Sequence, residues 1–396
     1  MMKKLRRIAM YGGSFNPIHD GHTAVAAAFV KKLKLDKLLL IPTAESPHKS
    51  LDEMVSPQHR FEMCRLAAKN IKKAEACDIE LHRSGKSYTV DTLRELAELY
   101  PDSEFFLIMG ADMFITLPEW KQPEEIFKLA TLCTVPRSDE DFITLSEYGE
   151  KYKSMGAQVC ILDMKKIDLS STEVRRSVFE DKPISKMVCG DVERYIYANY
   201  LYMDKTTVNY DRFRRVIRAR MGEKRYIHSC NVSDEAVRLA KKYGADEEKA
   251  RLAGLLHDVT KETPHPEQLA FMEAHDVPLT ALERKSPKLW HAISGSVFIR
   301  DVMDITDEDI INAVRYHTSG RENMSVLEKC IFIADFTSAE RNYDDVEVIR
   351  SLANKSLEEA MRYGLAFSIS DLALKNAAID PNAIACYNEV VLTIDN

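Results

Sequence analysis

YGGSFNPIHDGH, Tyr11 to His22, is the stretch whose reading decides the first half of this chain. Before it, Leu5–Met10 is an apolar run of strand length. After it, His22-Thr23-Ala24-Val25-Ala26-Ala27-Ala28-Phe29 is a strong helix former. The stretch therefore reads as a strand-to-helix turn at the carboxyl end of a β-strand, where open α/β sheets bind ligands. Gly12 and Gly13 let the backbone approach a ligand closely. The new helix presents free N–H groups and the positive end of its dipole, which suit a phosphate. His19 and His22 stand three apart and project from one side of the helix start. Imidazoles there can donate hydrogen bonds to phosphate oxygens and stabilise charge that develops during transfer. A plain turn with solvent-facing histidines is the simpler alternative; a zinc site would need a third ligand that is not nearby.

Outward from that turn the chain has two textures. Up to about Tyr202, short apolar runs alternate with helical patterns: Leu38–Ile41 before Pro42, Phe105–Met109 before Gly110, and Val159–Leu162, with Gln58–Lys69 and Thr89–Leu99 between them. Such alternation predicts an open α/β sheet with buried parallel strands. After about Thr206 helical patterns take over: Asp211–Met221, Val232–Tyr243, Glu247–Val259, Trp290–Val302, Asp307–Tyr316, Val326–Phe336 and Val346–Tyr363. The polar seam Met203–Asn209 separates two expected domains, residues 1–203 and 204–396.

With 396 residues, two domains are the natural prior. A net charge of −7 argues against binding to bulk nucleic acid or anionic membrane. No apolar stretch approaches a bilayer span, and the apolar part of the N-terminus is too short for a signal peptide. Eight scattered cysteines without a Cys-x-x-Cys pair suit a reducing cytoplasm.

A second phosphate cue lies at Asp168-Leu169-Ser170-Ser171-Thr172-Glu173-Val174-Arg175-Arg176, after the strand-like Val159–Leu162. Its Ser and Thr suit a helix N-cap, and Arg175, one turn on, can reach back toward the same anion. Together GGSFNPIHDGH (Gly12–His22) and SSTEVR (Ser170–Arg175) resemble the signature motifs of the bacterial nicotinate-mononucleotide adenylyltransferases, nucleotidylyltransferases marked by an H-x-G-H turn, here His19–His22. SYTVDTL (Ser87–Leu93), Gly110-Ala111-Asp112 and Leu117-Pro118-Glu119-Trp120 match too. Val135-Pro136-Arg137-Ser138 stands where the family has Arg-Pro-Gly. The resemblance implies a Rossmann-like domain that transfers adenylate from ATP, with Mg²⁺, to nicotinate mononucleotide. It implies that Gly12, Gly13, Ser14, Phe15, His19, His22, Ser170, Ser171, Thr172 and Arg175 hold ATP, with His19, His22 and Arg175 catalytic. Lys49, Thr89, Asp112 and Trp120 would line the mononucleotide pocket, Trp120 stacking on the pyridine ring; without the family, Trp120 reads as a packed loop anchor.

The helical half carries ligand-type side chains on apolar faces. Gly254-Leu255-Leu256-His257-Asp258 embeds a His-Asp doublet in an apolar helix. His228, His291, His317 and Asp335 each fall on or beside an inward face at helical spacing. One inward histidine is ordinarily a satisfied core residue, but an acid on an apolar face is costly unless paired or bound to metal. The set therefore points to metal. His59, His82, His265 and His275 lack such a setting and read as surface.

This pattern resembles the HD-domain phosphohydrolases, an all-α helical bundle, and within them the bacterial subgroup that splits diadenosine tetraphosphate symmetrically into two ADP. The resemblance implies two metals, iron or manganese. His228, His257, Asp258 and Asp335 would hold one and His291 and His317 the other, with Asp258 bridging and catalytic. Lys261, counted as catalytic, and Arg341 would contact phosphate; as plain solvated charges they need no such role. The expectation is a bifunctional cytoplasmic enzyme of small nucleotides, with no nucleic acid or membrane partner and a homo-oligomer left open. The alternatives for the second half are another HD phosphohydrolase, acting on guanosine polyphosphates or mononucleotides, or an inactive metal-bound nucleotide sensor.

Overall fold

The structure, a computed structural model, describes residues 5–45, 54–164 and 167–394. The chain forms two compact units, Met1–Ile196 with Leu201–Asp204, and Tyr197–Tyr200 with Lys205–Asn396.

The first unit is built on a six-stranded parallel sheet of order β3-β2-β1-β4-β5-β6. Its strands are β1 (Arg6–Gly13), β2 (Lys37–Pro42), β3 (Ala74–Ala76), β4 (Ser103–Ile108), β5 (Ala130–Thr134) and β6 (Val159–Ile161). The central strands are apolar because helices cover both sheet faces; Ile8, Met10, Leu39, Ile41 and Leu107 are all buried. The short β3 and the Thr-interrupted β5 carry too little apolar pattern to be seen in the sequence. Strand order reverses between β1 and β4. β1 pairs with β4 only as far as Tyr11↔Ile108, while Gly12 and Gly13 continue to pair with β2. A crevice thus opens at the glycines, where doubly wound sheets bind ligands. The glycines are the last residues of the strand, not the turn itself, and the helix after them begins at Asp20.

The regular elements of the second unit, among its described residues, are all helices. The helices that frame its cluster of ligand-type side chains are Glu223–Tyr243, Glu247–Leu256, Pro287–Val297, Glu308–Tyr316, Val326–Thr337 and Leu357–Leu374. Three sequence patterns are redrawn. Val346–Tyr363 is two helices, because Ser356 caps a new one by accepting from the Glu359 amide at 3.2 Å. Trp290–Val302 is an α-helix that ends in a π turn, Phe298–Val302. Glu247–Leu256 stops one residue before the His-Asp doublet, so His257 is its C-cap and not an interior residue. No helix among the described residues is long and apolar enough to cross a membrane.

Candidate active sites of the two units

In the first unit, a cavity of about 890 Å³ lies over the β1/β4 crevice. Gly12, Gly13, Ser14, Phe15, His19, His22, Thr89, Asp112, Trp120, Ser170, Ser171, Thr172 and Arg175 all line it. Lys49 lies outside the described residues. Two phosphate-type turns far apart in the sequence are joined here by hydrogen bonds. Ser171 Oγ donates to the Pro17 carbonyl at 2.8 Å, and Arg175 Nη1 donates to the Asn16 carbonyl at 2.8 Å. Ser170 caps the helix Ser171–Phe179 by accepting from the Glu173 amide, so the first-turn amides of that helix face the cavity rim.

The H-x-G-H turn is packed tightly. His19 caps the helix Asp20–Lys32, and its ring lies 3.7 Å, centroid to centroid, from that of His22. The His19 amide donates to His22 Nδ1 at 3.3 Å. A Cβ on Gly21 would sit 3.0 Å from the His19 ring, which explains the glycine between the two histidines. Burial, then the nearby Arg137 cation, lowers the pKa of His19 to about 4, so with no anion beside it the ring is neutral near pH 7. Its Nδ1 is buried without a hydrogen-bond partner among the described residues, and such an atom is expected where a ligand is to be met. Phe15 lines the cavity and also packs the turn. Its ring is buried edge-on against Tyr11 and His22 and braces the histidine.

Two arginines outside the expected site set also shape this site. Arg60 is fully buried and its guanidinium donates to the carbonyls of Ser14, Ala44 and Val55, fixing the loop after β1. Arg137 reaches the cavity and stands 3.5 Å from Asp112, the carboxylate expected in the mononucleotide pocket. Arg60 carries no periodic or motif trace of its part, whereas Arg137 lies in the segment that departs from the family's Arg-Pro-Gly.

In the second unit, five chain segments gather six side chains. His228 comes from Glu223–Tyr243, His257 and Asp258 from the turn after Glu247–Leu256, His291 from Pro287–Val297, His317 from the C-cap of Glu308–Tyr316, and Asp335 from Val326–Thr337. Five of the six are buried, Asp335 less so. Three overlapping groups, His228/His257/Asp258, His257/His317/Asp335 and Asp258/His291/His317, each bring their donor atoms within 4.8 Å of one another.

Asp258 sits between two pairs of imidazoles. Its Oδ2 is 3.4 Å from His257 Nε2 and 3.8 Å from His228 Nε2; its Oδ1 is 3.4 Å from His291 Nε2 and 3.6 Å from His317 Nε2. His228 Nε2 also lies 3.1 Å from Asp335. Three rings are held from behind through Nδ1: His257 by the Gly254 carbonyl at 2.7 Å, His317 by the Val314 carbonyl at 2.8 Å, and His228 by the carboxylate of Glu340. That arrangement turns the Nε2 of each inward, as outer partners of metal-bound histidines do. Burial alone would raise the carboxyls of Asp258 and Asp335; neighbouring imidazoles, and Arg341 beside Asp335, hold both well below the usual range. Asp258 Oδ1 is buried without a hydrogen-bond partner among the described residues. A buried orphan oxygen among inward imidazole nitrogens fits divalent ions, which take this mixed N/O set.

Cationic groups ring the cluster. Arg225 Nη1 is 2.8 Å from Asp258 Oδ2, Lys261 Nζ is 3.0 Å from His291 Nε2, and Arg341 Nε donates to the Asp335 carbonyl at 2.7 Å as its guanidinium pairs with the side chain. Lys261 is half-buried, and burial lowers its pKa. Arg225 and Glu340 escape a reading of the sequence, because neither lies at a spacing that marks it. His82 and His265 are exposed, as expected. His59 and His275, expected at the surface, are half-buried and pair with the Tyr195 hydroxyl and with Asp301.

Comparison with known proteins finds a family match on each half of the chain. Residues 10–177 match the family described as Cytidylyltransferase-like, and residues 225–340 match the HD domain. The latter implies divalent-metal binding in the second unit. A Shouchella clausii protein named "Probable nicotinate-nucleotide adenylyltransferase" is 36% identical over 200 residues, 50% of this chain and 98% of its own. A Mycoplasma genitalium protein named "Probable nicotinate-nucleotide adenylyltransferase/Ap4A hydrolase" is 26% identical over 361 residues, 90% of this chain and 95% of its own. Among solved structures, a Clostridium acetobutylicum protein described as a predicted HD superfamily hydrolase involved in NAD metabolism shares 35% identity, with a TM-score of 0.46 over 47% of this chain and 99% of that one. A Plasmodium falciparum nicotinic acid mononucleotide adenylyltransferase complexed with NaAD shares 21% identity, with a TM-score of 0.42 over 50% of this chain and 97% of that one. The chain belongs to the nicotinate-nucleotide adenylyltransferase family through its first half, and its second half carries an HD domain.

Proposed function

We propose that the chain is a bifunctional cytoplasmic enzyme of two domains, residues 1–203 and 204–396. The first transfers adenylate from ATP to nicotinate mononucleotide. The second hydrolyses diadenosine tetraphosphate to two ADP.

In the first reaction a phosphate oxygen of nicotinate mononucleotide attacks the α-phosphorus of ATP. The bond from that phosphorus to the bridging oxygen breaks, and pyrophosphate leaves. The observation that carries this reading is the hydrogen-bonded union of the two phosphate turns at Ser171–Pro17 and Arg175–Asn16 over one cavity. His19 and His22 are placed to donate to the polyphosphate, Arg175 to neutralise it, and Gly12–Phe15 to admit it against the backbone. Thr89, Asp112 and Trp120 line the side where the mononucleotide would lie, and Lys49 completes that set by motif. Mg²⁺ would accompany ATP, screening its charge.

In the second reaction water adds across the central P–O–P bridge, and each half leaves as ADP. The observation that carries it is Asp258, with each oxygen turned to a different pair of imidazoles. This suits a bridging carboxylate between two ions, iron or manganese, one held by His228, His257, Asp258 and Asp335 and the other by His291 and His317. Bound there, such ions supply an acidified water and phosphate-charge neutralisation. Lys261 and Arg341 are placed to orient the polyphosphate. Asp258→Ala tests the assignment: it is expected to lose metal, by elemental analysis, and hydrolysis together, while adenylyl transfer persists. Metal content at the wild-type level in that variant refutes the ligand role, and release of AMP plus ATP by the wild type refutes symmetrical cleavage.

A further inference from the structure

We infer that a base-stacking subsite formed by Tyr343 and Phe367 lies beside the six-residue cluster, and that it accepts nucleoside polyphosphates without distinguishing their bases. The inference rests on the hydrolase reading for the polyphosphate and adds a place for the base.

A cavity of about 220 Å³ is lined by Asp335, Phe336, Arg341, Tyr343 and Phe367. Asp335 and Arg341 belong to the cluster and its cationic rim, so the cavity begins where a polyphosphate would be held. Its far wall is aromatic. The rings of Tyr343 and Phe367 lie 6.1 Å apart, 27° from parallel. The Tyr343 hydroxyl donates to the Phe336 carbonyl at 3.0 Å, which fixes the ring before any ligand arrives. Phe367 is 47% exposed. A lone exposed phenylalanine is ordinary; one stacked on a tethered tyrosine at a cavity wall is a preformed face for a planar ring. The volume falls below that of a pocket for a whole drug-sized ligand, as befits one base whose phosphates lie elsewhere.

The same residues argue for indifference to the base. Asp335 and Arg341 are paired with each other, and the Tyr343 hydroxyl is engaged with Phe336. No other polar side chain lines the cavity among the described residues. Stacking without edge contacts tolerates any base, because every base has a π face.

The test uses the metal-loaded full-length protein. Phe367→Ala is expected to raise KM for diadenosine tetraphosphate roughly fivefold to a hundredfold, the loss typical of one stacked aromatic. Phe367→Trp is made in a Trp120→Phe background, which removes the tryptophan of the first unit's cavity. The added emission, measured against that background, is expected to be quenched by ADP and GDP with affinities within about threefold of each other, and not by inorganic pyrophosphate. Absent quenching, or equal quenching by pyrophosphate, overturns the subsite. A clear preference for one base overturns the indifference. Quenching in a protein that fails to split diadenosine tetraphosphate upholds the subsite and refutes only the assigned substrate.

Discussion

Gly254→Ala sets helix propensity directly against packing in the second unit. Gly254 lies within Glu247–Leu256, so alanine there gains up to about 1 kcal/mol of intrinsic helix preference. Its Cβ, however, would stand 2.8 Å from Ser233 Cα and 3.1 Å from both the Ser233 nitrogen and the Val232 oxygen. These are backbone atoms of the facing helix Glu223–Tyr243, and no side-chain rotation relieves them. The two helices are also tied by Ser233 Oγ, which donates to the Arg251 carbonyl at 2.7 Å. Overpacking of this kind costs about 1–3 kcal/mol, so the net expectation is a loss of up to about 2 kcal/mol. A second effect arises at the Gly254 carbonyl, which holds His257 Nδ1. If the helices separate, that carbonyl shifts, and metal affinity falls by an amount comparable to loss of an outer partner, roughly tenfold to a hundredfold. Denaturant unfolding, metal titration and diadenosine tetraphosphate hydrolysis read the three effects, with adenylyl transfer as the internal control. A variant more stable than the parent by about 1 kcal/mol, with metal affinity intact, would show that propensity decides and that the close helix contact is not what requires glycine.

Other outcomes can be stated. His22→Ala is expected to lower adenylyl transfer on the order of a hundredfold or more, the usual cost of removing a charge-stabilising donor; near-normal turnover by the folded variant rules the role out. Glu340→Gln removes the carboxylate behind His228 and is expected to weaken metal binding roughly tenfold to a hundredfold, seen by titration with manganese alone; unchanged affinity sinks the positioning role. His19 gives a pH signature. Its folded pKa of about 4 lies below the ordinary 6.5, so between these values the unfolded chain binds the extra proton. Stability is full above pH 6.5, falls by roughly 3 kcal/mol as pH drops to 4, and loses nothing further from this group below that. His19→Gln should flatten the pH dependence of first-unit unfolding across that window; an unaltered slope contradicts the buried neutral imidazole.

Local chemistry makes much of this legible in the sequence. Strand-glycine-helix order, the spacing of His19 and His22, and SSTEVR each carry a phosphate signal within a short stretch, because N-caps, glycine backbone freedom and helix dipoles are short-range effects. The six ligand-type residues of the second half were legible for a related reason: a polar group on an apolar helix face stands out against its own period. Short-range pattern also set the limits. It placed His257 inside a helix where the chain in fact turns, and it merged Val346–Tyr363 across the Ser356 cap.

The sequence by itself determined which residue types are suited to phosphate and metal, since that follows from side-chain chemistry and local backbone form. Only the tertiary structure decided how they are held. Strand order opened the crevice at Gly12 and Gly13 by ending the pairing of β1 with β4. Contacts spanning 154 and 159 residues of sequence brought Ser171 and Arg175 onto the first turn. Packing placed Asp258 between two imidazole pairs and Glu340 behind His228. Such partners are chosen by three-dimensional proximity, to which residues distant in the chain contribute no periodic or compositional trace.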